Sequence, residues 1–196
     1  MLKVILYMDK INKTIMIVGT LGSGKSSVGK RLSTYFGIPF VDSDSEVEKA
    51  ADCTVKDFFE WYGEEDFRDC ERKVLKRLLE GDVCVLSSGG GSFLCEETRE
   101  LAKKKAITVW LQADEETLFN RLRGRKRRPQ IPDDDDFLRA EIVRFMKEET
   151  PYYALADVRV TSLNEPTSAT ANKVILAIED FLKNQNKTME SPAKDK

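Results

Sequence analysis

From Thr14 to Ser27 the chain reads TIMIVGTLGSGKSS. The apolar run at residues 15–18 predicts a buried parallel strand. It ends in Gly19-x-x-x-x-Gly24-Lys25-Ser26, the Walker A spacing, with a helix starting near Lys25. The residue types suit one task. Glycines let the backbone turn and bring N–H groups close to phosphate oxygens. The helix start directs its positive dipole end at the same phosphates. Lys25 adds a mobile point charge and the Ser26 hydroxyl is a ligand for Mg²⁺. Gly22, Ser23, Gly24, Lys25, Ser26 and Ser27 are therefore the expected nucleotide cradle. The alternative is an ordinary glycine-rich turn, but a strand before and a helix after are the context the motif demands.

The 196 residues suffice for one domain with a real core. The chain is 41% hydrophobic and 34% charged with a net charge of −2, a soluble globular balance that argues against coating nucleic acid or membrane. The chain has no histidine, which removes Ser–His–Asp and Cys–His nucleophile schemes. Cys53, Cys70, Cys84 and Cys95 form no C-x-x-C pair and read as reduced thiols of a cytoplasmic protein. The apolar patch at residues 4–8 is too short for a signal peptide or a membrane span.

Residues 1–13 read as an extension, 14–183 as a single domain, and 184–196 as a polar, disordered tail. Strands are expected at 15–18, 38–41, 83–86, 106–111 and 158–160. Helices are expected at 25–36, 43–51, 55–62, 64–80, 96–104, 115–123, 137–149 and 168–182. Gly37 is the expected C-cap of the first helix, Gly63 a break, and Thr54 and Asp114 are expected N-caps. This alternation implies a parallel sheet with helices on both faces, whose ligands bind beyond the carboxyl ends of the strands. That edge gathers the Walker loop, Asp42-Ser43-Asp44 and Gly89-Gly90-Gly91.

Each further motif has two readings. Asp42 and Asp44 suit a metal's water shell and a substrate hydroxyl, or cap the next helix. Arg68 and Glu71 share a helix face, so Arg68 either grips a ligand carboxylate or makes a solvated i,i+3 pair. The triple glycine either admits a ligand to the backbone or is a flexible turn. The run from Arg121 to Arg128 holds six Lys/Arg in eight residues, with Asp133 to Asp136 close behind. It reads as a nucleic-acid patch or, better beside a Walker loop, as a mobile lid at about 121–136.

Together, GxxGxGKS, D-S-D, G-E-x-x-F-R-x-x-E (Gly63 to Glu71), G-G-G and a basic loop ending in R-P resemble the shikimate kinase family over nearly the whole chain. The resemblance implies a three-layer α/β/α P-loop kinase fold with a five-stranded parallel sheet and a mobile lid. It implies ATP and Mg²⁺ as cofactors and phosphorylation of the 3-hydroxyl of shikimate, by a cytoplasmic monomer with no nucleic-acid or membrane partner. Residue by residue, Lys25 would stabilise the transferring phosphoryl group, while Ser26 and Asp42 would hold the metal. Asp44 would orient the attacking hydroxyl and take its proton. Arg68 would clamp the shikimate carboxylate, and the backbone of Gly89, Gly90 and Gly91 would meet its hydroxyls. Phe59 and Phe67 would wall the pocket. Arg128 would be the lid arginine at the γ-phosphate, and Arg121 would lie near the adenine.

Two positions depart from the family pattern. Gln130 and Ile131 follow the lid R-P where leucines are usual. Glu149 stands where R-x-P-L-Y carries a second carboxylate-binding arginine; a desolvated glutamate there repels a bound carboxylate. Arg144, five residues earlier, is the candidate replacement, although five residues rotate it well off the Glu149 direction. Glu149 keeps open a related kinase with another acceptor, and a third possibility is a nucleotide-binding relative without transfer activity.

Overall fold

The computed structural model describes residues 11–124 and 134–189. Its elements follow the order β1 (Thr14–Val18), α1 (Lys25–Phe36), β2 (Phe40–Asp42), α2 (Ser43–Ala51), α3 (Val55–Glu80) and β3 (Val85–Ser87). After a short 3₁₀ turn (Ser92–Leu94) come α4 (Glu96–Lys105), β4 (Ala106–Gln112), α5 (Glu115–Leu122), α6 (Asp135–Tyr153), β5 (Val158–Thr161) and α7 (Thr167–Met189). The five strands form one sheet in the order β2-β3-β1-β4-β5, every pairing parallel. This is the expected α/β architecture.

The alternation along β1 explains the layers. Ile15 and Ile17 face one side, packing with Val28, Leu32 and Phe36 of α1 and Val174 and Ile178 of α7. Met16 and Val18 face the other, with Leu75, Leu79, Phe93, Trp110 and Tyr153. A strand covered on both faces has no polar side to show, hence the unbroken apolar run. Ile11 joins the first cluster, so the core begins before β1.

Helix limits follow the caps. Gly37 closes α1 with φ 68°, its N–H donating to Ser33 O. The Thr54 and Asp114 side chains accept from Asp57 N and Thr117 N. Two C-terminal limits differ from expectation by more than two residues. α6 runs through Pro151 to Tyr153, four residues past Glu149, with the Ala154 N–H still bonding Thr150 O. α7 continues to Met189, although the apolar pattern ends near Leu182 and residues from 184 were expected to be disordered. Residues 1–10 and 190–196, and residues 125–133 of the expected lid with Arg128, lie outside the described residues. No described helix is long and apolar enough to cross a membrane.

Gly63 breaks α3 as expected, with φ 83° and ψ 179° inside an otherwise continuous helix. That conformation is essentially restricted to glycine, and it aims the second half of α3, which carries Arg68 and Glu71, at the sheet edge. A Cβ at Gly63 would meet nothing within 4 Å. The cost of Gly63→Ala is therefore backbone strain alone, about 1–3 kcal/mol. Urea unfolding should show that loss; an unchanged midpoint would mean the kink is not a strained glycine conformation.

Candidate active site

The carboxyl ends of β1, β2 and β3 place three loops side by side. On leaving β1, the Walker loop meets the first turn of α1. Lys25 is 8% exposed and turns back on its own loop, its Nζ donating to Gly19 O at 2.6 Å and Thr20 O at 3.2 Å. The Ser26 hydroxyl donates to Asp42 Oδ2 at 2.7 Å and lies 3.1 Å from Ser87 Oγ. The strand register explains this triad: Asp42 pairs with Ser87 at the ends of β2 and β3, and α1 sets Ser26 above them. The capping reading of Asp42 holds, since its Oδ1 accepts from Asp44 N at 3.2 Å at the start of α2.

The triple glycine is a built feature. The Gly89 N–H donates to the fully buried Ser43 Oγ at 2.8 Å. A Cβ on Gly89 would fall on Glu71 Oε1 and within 2.7 Å of Asp44 Oδ1. Glycine leaves room here for two carboxylates that crowd its Cα. Glu71 is 3% exposed and its Oε2 accepts from Arg68 Nη1 at 2.8 Å, while its Oε1 has no hydrogen-bond partner among the described residues. Burial raises the proton affinity of Glu71, and Arg68 and Lys25 work against that rise. Arg68 also donates to Gly90 O at 3.3 Å and Glu64 Oε1 at 3.2 Å. The Arg68–Glu71 contact is therefore an i,i+3 ion pair, half-buried instead of solvated as the alternative reading had it.

Arg68, Gly90, Gly91, Arg144 and Glu149 line one cavity of about 190 Å³, with Leu21, Leu94 and Phe145 as its apolar wall. Arg144 reaches this rim held by Glu141 and Glu148, its Nη2 2.6 Å from Glu141 Oε2 and its Nη1 2.9 Å from Glu148 Oε2. Phe59 and Phe67, expected as walls, stack on each other with centroids 4.4 Å apart, and Phe67 is 2% exposed in the cluster between α2 and α3. Arg121 lies at a second cavity of about 210 Å³, bordered by Gly22, Gly24, Ser27, Ser162 and Asn164. Its Nη1 donates to Ser23 O and Ser162 Oγ, both at 3.0 Å, and its Nη2 to Leu163 O at 2.7 Å. No group of three or more His, Cys, Asp or Glu among the described residues could hold a metal ion. The Ser26–Asp42 pair fits the other kind of site, in which Mg²⁺ keeps one carboxylate, a hydroxyl, water and phosphate oxygens.

The sequence model of the shikimate kinase family matches residues 21–179. The chain belongs to the shikimate kinase family. A curated relative from Paramagnetospirillum magneticum, named shikimate kinase, is 42% identical over 177 residues, 90% of this chain and 90% of that protein. One from Rhodopseudomonas palustris is 38% identical over 171 residues, 87% and 83% of the two chains. Among solved structures, shikimate kinase from Acinetobacter baumannii in complex with shikimate gives a TM-score of 0.82 at 29% identity, covering 87% of this chain and 95% of that one. A gluconokinase from Sinorhizobium meliloti, at 19% identity and a TM-score of 0.59, shares the fold.

Several of this family member's site residues were not singled out from the sequence. Ser87 and Ser43 depend on strand register and loop path, which periodicity does not show. Tyr153 had a readable signal, since it lies four residues after Glu149 and so on the same helix face. Its hydroxyl donates to Glu149 Oε2 at 3.2 Å and accepts from Gly91 N at 3.2 Å. Glu149 is 7% exposed, and burial raises its proton affinity, opposed by a hydrogen bond with Thr20 and by Lys25, Tyr153 and Arg68.

The sign of the stability effect follows. A raised carboxyl contributes stability below its ordinary value of 4.5 and loses it as pH rises through the folded value. Glu149→Gln cannot ionise. Its stability relative to the parent chain should therefore climb as pH rises above 4.5 and then level off. Urea unfolding across that pH range checks this; a pH-independent difference would contradict a raised Glu149.

Proposed function

We infer that this member of the shikimate kinase family transfers the γ-phosphoryl group of ATP to the 3-hydroxyl of shikimate. The observation that carries the reading is the meeting of two half-sites at one sheet edge. The phosphate loop with Lys25, Ser26 and Asp42 adjoins a small cavity lined by Arg68, Gly90 and Gly91.

Gly22, Ser23, Gly24 and Ser27 would present backbone and hydroxyl groups to the ATP phosphates, with Arg121 beside the adenine. Ser26 and Asp42 would hold Mg²⁺, which when bound neutralises phosphate charge. Lys25 would exchange its carbonyl partners for phosphate oxygens. Asp44, whose carboxylate lies against Gly89, would orient the acceptor hydroxyl and accept its proton. Arg68 would bind the shikimate carboxylate, Arg144 would approach it from the rim, and Gly89, Gly90 and Gly91 would meet its hydroxyls. Arg128 would close over the phosphates from the lid. Phosphoryl transfer needs mostly positioning and charge neutralisation, so this set is nearly sufficient. The enzyme would act as a cytoplasmic monomer.

The buried Glu149 at the cavity favours a second reading, a related kinase whose acceptor lacks a carboxylate there. ADP release with Mg²⁺-ATP, with and without shikimate, separates the two. Shikimate-dependent turnover at about 1–100 per second supports the first. ATP binding without stimulation supports the second and directs the search to polyols and amines.

Arg68→Ala should raise the shikimate KM by about tenfold or more, the worth of charge-assisted hydrogen bonds, and leave the ATP KM near its parent value. Because Arg68 also balances Glu71, kcat should fall as well. Equal changes in both KM values would sink the carboxylate assignment.

A further inference from the structure

The peptide unit between Gly90 and Gly91 is held from both ends. Its N–H donates to the Tyr153 hydroxyl oxygen at 3.2 Å, and its carbonyl accepts from Arg68 Nη1 at 3.3 Å. In a trans peptide those two groups point in opposite directions, so Tyr153 and Arg68 stand on opposite sides of one unit. The guanidinium also lies across it, since a Cβ on Gly91 would come within 3.1 Å of Arg68 Nη2. The flanking carbonyls have partners of their own: Gly89 O accepts from Ser92 Oγ at 2.9 Å, and Gly91 O from Leu94 N at 3.0 Å.

The two glycines do not fix this unit themselves. Gly91 has φ 87°, and glycine takes positive and negative φ about equally well. With no Cβ on either side, the unit can reverse and turn its carbonyl away from Arg68, so its partners set its orientation. Tyr153 is the rigid partner. It is 1% exposed, and Phe93 and Trp110 pack about its ring at centroid distances of 6.4 and 6.2 Å. Its hydroxyl proton goes to Glu149 Oε2 at 3.2 Å, which leaves a lone pair of the oxygen for the Gly91 N–H. Burial, and after it the Glu149 charge, raise the hydroxyl well above its usual range, which keeps that proton in place. Arg68 is the partner that depends on the unit. Glu64 and Glu71 sit on its own helix, α3, and fix it relative to that helix. The Gly90 carbonyl ties it to the sheet edge.

We propose that Tyr153 is a positioning residue for the acceptor site, its hydroxyl fixing the Gly90–Gly91 peptide so that the carbonyl meets Arg68 and sets the guanidinium against the triple glycine. Tyr153→Phe keeps the ring beside Phe93 and Trp110 and removes the hydroxyl alone. The buried Gly91 N–H then has lost its acceptor, which is costly, and the peptide turns to seek another. Arg68 keeps Glu64 and Glu71 but loses a fixed carbonyl. The contacts of Lys25 with its loop and of Ser26 with Asp42 do not pass through Tyr153, so the nucleotide side is left as it was.

The inference rests on the assignment of Arg68 to the acceptor made above, and the test uses the full chain with kinetics and amide exchange. Tyr153→Phe should raise the shikimate KM by about three- to tenfold, the range of a lost hydrogen bond, and leave the ATP KM unchanged. In an Arg68→Ala background the same substitution should lower kcat/KM for shikimate by less than about twofold, because the two residues act as one unit. In ¹⁵N-glycine-labelled protein without acceptor, the Gly91 amide should exchange with solvent about three- to tenfold faster in Tyr153→Phe than in the parent chain. The proposal is overturned if both KM values rise together with a lower melting temperature, if the loss in the Arg68→Ala background is as large as in the parent, or if Gly91 exchange does not change. Should the parent chain show no shikimate turnover, the acceptor assignment fails. Gly91 exchange then decides the role of Tyr153: acceleration in Tyr153→Phe upholds its hold on the peptide, and an unchanged rate removes it.

Discussion

The site is built outward from the close approach of Gly19 to β4. Gly19 has φ 141°, and a Cβ there would sit 2.6 Å from the Leu111 carbonyl oxygen. No other residue type lets the chain leave β1 and lie flat against its neighbouring strand. From that point the loop closes over the sheet edge, α1 begins at Lys25, and its first turn brings Ser26 over the ends of β2 and β3. Arg121 grips the loop from the far side through the Gly22 and Ser23 carbonyls. In a trans peptide the N–H points away from the C=O. A cation on those carbonyls therefore leaves the opposite side, the N–H side, for phosphate.

The half of the site around the triple glycine is organised by charge more than by shape. Asp44 and Glu71 crowd one glycine, and Glu149 is buried nearby, so three carboxylates converge with Lys25 and Arg68 as the inner cations. Arg68 is held in place before any ligand arrives: Glu64 and Glu71 take its two terminal nitrogens and Gly90 O shares one of them. Its neighbour Phe67 is locked in the α2–α3 core. A guanidinium fixed in this way loses little freedom on meeting a ligand, which is the basis of preorganised binding. The same arrangement crowds Gly89, here by side-chain ends instead of backbone.

Where local chemistry sets an element's limits, the sequence was enough. α1 and α2 have the expected bounds because Lys25 follows a glycine turn, Gly37 takes a left-handed φ and Asp42 caps the next helix. Strand limits moved by a residue or two because pairing decides them: β2 and β3 end together at Asp42 and Ser87, where the register matches them. Helix ends without a glycine were least legible. α6 passes through Pro151, since the Thr150 carbonyl still finds the Ala154 N–H, and α7 outlasts its apolar pattern. At the site, the sheet-edge rule correctly gathered the three loops. It did not reveal that Ser43 holds Gly89, that Ser87 completes the Ser26–Asp42 contact, or that Phe67 belongs to the core. Those facts depend on which side of a loop faces which neighbour.

Arg144 and Glu149 show how helix geometry settles what spacing alone left open. Five residues separate them by about 140° around α6, so they cannot point the same way. Both nevertheless border the same cavity, because they differ in depth. Glu149 is short and buried, turned inward to Tyr153, while Arg144 is long, half-exposed and tied to Glu141 and Glu148 on the surface. The arginine therefore lies at the rim of the cavity while the glutamate is buried in its wall. On the reading proposed above, an acceptor carboxylate would meet a fixed cation in Arg68 and an adjustable one in Arg144. Surface ion pairs of the Arg144 kind are weak, so a ligand carboxylate can exchange with Glu148 at small cost. The repulsion expected from a glutamate at this depth is moderated in the same geometry, because Glu149 already gives one oxygen to Tyr153 and shares its charge with Lys25 and Arg68.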